Sequence, residues 1–116
     1  MKYFITALMV GSLCASMAFA GIEGNYTIAG KNPNGTRYQG MLVIAKLAST
    51  YELRWKVGQS AYRGTGILVG NTLSVGWLAQ TDSCGVVSYK VSKTRLDGIW
   101  ANCGAIQTGT ETASKR

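Results

Sequence analysis

Polar and apolar residues alternate in short bursts along this chain, and nothing after residue 20 repeats with helical spacing. Period-two alternation, with β-branched and aromatic residues set between polar turns, marks short half-buried strands. Eight are predicted, at 24–29, 37–45, 50–57, 61–69, 72–78, 84–91, 95–101 and 106–113. The gaps between them carry turn chemistry. Asn32-Pro33-Asn34-Gly35 joins a fixed proline φ to an Asn-Gly pair that tolerates positive φ. Gly70-Asn71 suits a two-residue hairpin loop, and Gly58-Gln59-Ser60 and Ser92-Lys93-Thr94 are also short. Short loops between successive strands imply an antiparallel meander, because parallel strands need long crossovers.

One pattern recurs three times: Tyr51-Glu-Leu-Arg-Trp55, Leu73-Ser-Val-Gly-Trp77 and Leu96-Asp-Gly-Ile-Trp100. In a strand, the first, third and fifth residues of each run share a face. The other face carries Glu52 and Arg54, Ser74 and Gly76, Asp97 and Ile99, so the Trp face is predicted to point inward. Tyr38-Gln-Gly40 and Tyr62-Arg-Gly64 form a second rhythm. Glycines inside strands mark bends or close backbone approach, and repeated glycine kinks curl a meander into a barrel. The expected fold is therefore all-β: a small antiparallel meander of about eight strands, barrel-like, with a two-sheet β-sandwich as the alternative.

The first twenty residues change the chemistry of the remainder. MKYFITALMVGSLCASMAFA has a basic start, a short apolar run and an Ala-Phe-Ala end. That is the build of a signal peptide cleaved after Ala20, and its apolar run is too short to span a bilayer. A secreted or periplasmic protein is expected, with residues 21–116 as its single domain. Cleavage removes Cys14 and leaves Cys84 and Cys103, which an oxidising compartment would join as a disulfide. It also removes both phenylalanines, so Trp and Tyr become the only aromatics of the domain. Loss of Lys2 leaves eleven basic and five acidic residues, a net charge of +6 with no basic run. Spread charge of this kind is ordinary solvation, and no groove-entering motif appears, so no nucleic-acid partner is expected. Neither is a membrane-embedded barrel, since the strands are short and Glu52, Arg54, Lys56, Arg63 and Asp97 would face lipid.

The chain contains no histidine, which excludes Ser-His-Asp and Cys-His devices, and with no second thiol pair beside Cys84 and Cys103 a zinc site lacks ligands. The acids of the domain are Glu23, Glu52, Asp82, Asp97 and Glu111, and no pair of them stands out as buried and convergent. No catalytic residue, metal or cofactor is expected. The aromatic set is what remains. Trp55, Trp77, Trp100 and Tyr51 are candidates either to fill the core or to wall a ligand pocket, since an eight-stranded barrel can do both. Tyr38 and Tyr62, beside Arg37 and Arg63, are candidate surface contacts, because Tyr and Arg dominate binding hot spots.

Several runs together carry a resemblance: Asn34-Gly-Thr-Arg-Tyr-Gln-Gly40, Tyr62-Arg-Gly-Thr-Gly-Ile-Leu68, Leu73-Ser-Val-Gly-Trp77, Cys84-Gly-Val-Val-Ser-Tyr89 and Leu96-Asp-Gly-Ile-Trp100. With Gly109-Thr-Glu111 they make the domain similar to a family of small secreted bacterial β proteins, often labelled fibronectin-binding-like and mostly uncharacterised. The resemblance implies a secreted β protein; with small size, a stapled barrel and no catalytic groups, the expected function is an exported, non-enzymatic binding module that contacts a host or envelope macromolecule, a fibronectin-like matrix protein or a glycan among them. The alternative is a carrier that holds a small apolar molecule in a Trp-lined barrel interior.

Overall fold

The computed structural model describes residues 21–116, so the segment expected to be a signal peptide, with Cys14, lies outside the described residues. Eight strands follow one another: β1 (Gly24–Lys31), β2 (Arg37–Lys46), β3 (Tyr51–Val57), β4 (Ser60–Val69), β5 (Thr72–Ala79), β6 (Cys84–Val91), β7 (Arg95–Asn102) and β8 (Gly109–Lys115). Each pairs antiparallel with the next, and β8 returns to pair with β1, so the sheet closes on itself. This continuous ladder rules out the sandwich, in which two sheets would each keep free edges. The turns form as their residues dictate. Gly35 N–H donates to the Asn32 carbonyl at 2.8 Å, and Gly35 takes a φ of 91°.

The last strand departs from the sequence expectation. It begins at Gly109 and not near residue 106. Cys103 is bonded to Cys84, Gly104 turns with a φ of 78°, and Ile106 stands 99% exposed in the loop that results. That tether delays re-entry into the sheet until Gly109 can pair with Trp100.

Inward and outward residues alternate as predicted, and the interior divides into two halves. Towards the end where β1 starts, Leu42, Ile44, Leu53, Leu73 and Leu96 pack together with Tyr26 and Tyr51. Ile22 plugs that end, and the buried Tyr26 hydroxyl donates to its carbonyl at 2.7 Å. β4 contributes glycines to this interior. A Cβ on Gly66 would sit 3.1 Å from both Leu73 and Val75, so the missing side chain is the space its neighbours occupy.

Candidate functional site

The opposite half of the barrel is hollow. A cavity of about 370 Å³ opens between the loops at 32–36, 58–59, 80–83 and 103–108. Its wall is aromatic. Tyr62 and Trp77 meet edge-to-face with centroids 5.5 Å apart, Trp77 and Trp100 follow at 6.4 Å, and Tyr38 and Trp100 at 6.3 Å. These four rings line the cavity, Trp55, Val87, Tyr89 and Glu111 lie deeper, and Asn32, Thr81, Ser83 and Asn102 add polar groups to its lining.

The backbone opposite each ring explains why the rings stand where they do. Tyr38 pairs across the ladder with Gly30, Trp77 with Gly85, Tyr89 with Gly98 and Trp100 with Gly109. Each ring lies over the glycine it faces. A Cβ on Gly98 would come within 2.7 Å of the Tyr89 ring, and one on Gly64 within 3.0 Å of Trp55. An aromatic laid across a bare glycine covers strand backbone and is held in one orientation by it. The glycines that curl the sheet therefore also fix the walls of the cavity.

Glu111 is the buried charge of the described residues, at 7% exposure. Its Oε1 accepts from the Tyr38 hydroxyl at 2.7 Å. Its Oε2 accepts from Trp55 Nε1 at 3.1 Å and from the Tyr89 hydroxyl. Trp55 Nε1 also reaches the Tyr89 hydroxyl, at 3.2 Å. An indole N–H can only donate, so Glu111 is the acceptor in this network, as a carboxylate is. The ion pairs among the described residues lie elsewhere, on the outer surface: Glu52 with Arg54 and Arg63, and Asp97 with Arg95.

Burial, reinforced by the Glu111 charge, holds the Tyr89 phenol well above its ordinary range, and the same two causes raise Tyr38. The folded state therefore keeps protons that the unfolded chain releases near pH 10. That stabilisation is fully present below about pH 10 and is lost as pH rises beyond it, with a slope of about 1.4 kcal/mol per pH unit for the one proton on Tyr89. In urea titrations, the wild-type midpoint should hold steady up to about pH 9 and then fall more steeply than that of Tyr89→Phe. Parallel curves for the two proteins would contradict this assignment.

The structure brings together the three predicted tryptophans, Trp55, Trp77 and Trp100, and separates Tyr51 from them. Tyr51 packs in the filled half, with Lys46 Nζ 4.8 Å from its ring centroid. The proposed surface quartet is corrected. Arg37 and Arg63 are exposed on the outer wall, but Tyr38 and Tyr62 face inward and line the cavity. Neighbouring residues of a strand point to opposite faces, so an Arg-Tyr pair cannot present both side chains outside. Glu111 and Tyr89 are site residues that the sequence reading did not select. The signal for Glu111 is modest: Gly109, Glu111 and Ala113 share one face of a strand whose other face carries Thr110, Thr112 and Ser114.

No family model and no curated protein matches this chain. Its similarity is to solved β-barrels of designed origin. A redesigned β-barrel superposes with a TM-score of 0.73 at 12% identity, over 81% of this chain and 90% of that one. A de novo designed fluorescence-activating β-barrel gives 0.71 at 11% identity, over 85% and 97%. A redesigned β-barrel bound to DFHBI gives 0.69 at 13% identity, over 80% and 94%. The chain has their fold. At such identities the likeness extends to the architecture and to nothing finer.

Proposed function

We propose that this protein binds a small organic molecule in the aromatic end of its barrel. The observation that carries the reading is the half-hollow interior. A domain this small has few large side chains to spare, yet six aromatic rings surround space and leave it open. A cavity of about 370 Å³ falls in the size range of ligand sites, which are mostly apolar with a few polar groups to fix orientation. The superposable barrels lend support, since one of them was solved with DFHBI bound. A matrix-protein partner has less behind it, because Tyr38 and Tyr62 are turned away from the surface that Arg37 and Arg63 share. Binding without catalysis is part of the proposal: the chain has no histidine, and the carboxylate in the cavity is already engaged by three donors. So is export, with cleavage after Ala20, for which the Cys84–Cys103 disulfide is a consistent sign.

The experiment uses three small aromatic probes, prodan, naphthol and indole, against the wild type and Val87→Phe. Val87 lies in the depth of the cavity, and a phenyl ring there would occupy the vacant space. Saturable one-to-one binding of at least one probe is expected, weakened about tenfold or more in Val87→Phe at unchanged secondary structure. The proposal fails if no probe binds, or if both proteins bind every probe equally.

A further inference from the structure

We propose that the ligand is an organic cation, with an ammonium group held among the aromatic rings and Glu111 as its counter-charge. This rests on the cavity being a binding site and adds the class of molecule it takes. Three observations carry it. First, Glu111 is the one carboxylate among the cavity-lining residues, and no lysine or arginine lines that space. A buried charge without an opposite partner is costly, and every donor that Glu111 meets here is a neutral hydroxyl or indole. Both carboxylate oxygens thus have a hydrogen-bond donor, yet the site is left with one uncompensated negative charge. Second, the walls suit a cation. The faces of Trp and Tyr rings are electronegative and attract ammonium groups, most strongly where water is excluded. Third, the acceptor capacity is not exhausted. A carboxylate offers about four lone-pair sites, and Oε1 accepts from a single hydroxyl within the site. An anion would meet the Glu111 charge with no basic residue to offset it, although the chain as a whole is basic. The positive residues lie outside the barrel, and the cavity has the reverse sign.

The test is a pair of probes that differ in charge and hardly at all in shape: meta-hydroxyphenyl-trimethylammonium and meta-tert-butylphenol. Both are titrated by calorimetry into the wild type and Glu111→Gln. The amide keeps an oxygen for Trp55 and Tyr89 and can donate to Tyr38, so the network survives without its charge. In the wild type the ammonium should bind about tenfold tighter or better than the neutral isostere. In Glu111→Gln that ratio should fall severalfold, to the residual preference the aromatic rings supply, while the neutral isostere binds as before. If Glu111→Gln does not fold, the wild-type ranking decides alone, with meta-hydroxybenzoate added and expected to bind weakest. Equal or tighter binding of the neutral probe by the wild type overturns the cation assignment and leaves the cavity reading intact. A preference undiminished in Glu111→Gln also overturns it, because Glu111 would then not be the counter-charge. If neither isostere binds the wild type, the cation assignment falls, and the prodan, naphthol and indole titrations decide the cavity reading separately.

Discussion

Leu53→Ala should lower the free energy of unfolding by about 2–5 kcal/mol, the usual range for emptying a well-packed leucine site. Leu53 is 0% exposed and pairs with Ile44 on β2. Its other neighbour in the ladder is Gly64, which has no side chain to lean into a void. Closed ladders on both sides hold the walls apart, so the hole has little means of collapse. The effect is large because the packed half of the barrel carries nearly all the tight burial while the other half is open. Urea unfolding followed by tryptophan fluorescence measures it. A loss under about 1 kcal/mol would show that the interior is more compressible than this packing implies.

Replacing Cys84 and Cys103 together by serine should cost about 3 kcal/mol, from the entropy an unfolded chain regains when a loop of this length is released. The two residues are separated by 19 positions, a span that encloses the whole β6–β7 hairpin. The native ends of that hairpin meet regardless, since Cys103 N–H donates to the Cys84 carbonyl at 2.8 Å. The gain from the covalent link therefore lies chiefly in the unfolded state. The bond also sits at the mouth of the cavity, so its loss should loosen the 103–108 loop beside Trp100. Unfolding curves of the oxidised protein and the double serine variant give the difference. Coincident curves would refute the assignment.

Seven strands could be placed within two residues from alternation and turn chemistry alone, because both are local properties. The features that escaped are those decided at a distance. The barrel itself did not escape, since the in-strand glycines favour it over a sandwich, and its closure is seen where β1 meets β8, as in the pairing of Lys31 with Thr110. The inward faces of β2 and β4 were hidden. Gly40, Gly64 and Gly66 interrupt their apolar stripes, so Tyr38 and Tyr62 read as isolated surface aromatics. Glu111 escaped because its partners lie on other strands, Tyr38 73 positions away and Trp55 56. In Gly-Thr-Glu-Thr-Ala the one local sign of a buried carboxylate is that Glu111 shares its face with the small residues Gly109 and Ala113. The cavity itself is a statement about volume, which residue order does not express.

The closing pair of strands has a consequence for how the chain reaches this state. Each of the first seven strand pairings joins neighbours in sequence, so hairpins can form as soon as their residues exist. The eighth joins the two extremities of the domain, from Lys31–Thr110 to Tyr26–Lys115. Such distant pairing slows folding, towards the millisecond-to-second range of β proteins rich in non-local contacts. It also cannot occur on an incomplete chain. A polypeptide ending before Gly109 would present β1 and β7 as two bare edges, each ready to pair with another molecule. The final seven-residue strand thus makes the difference between a self-contained barrel and a sheet that can grow from both sides.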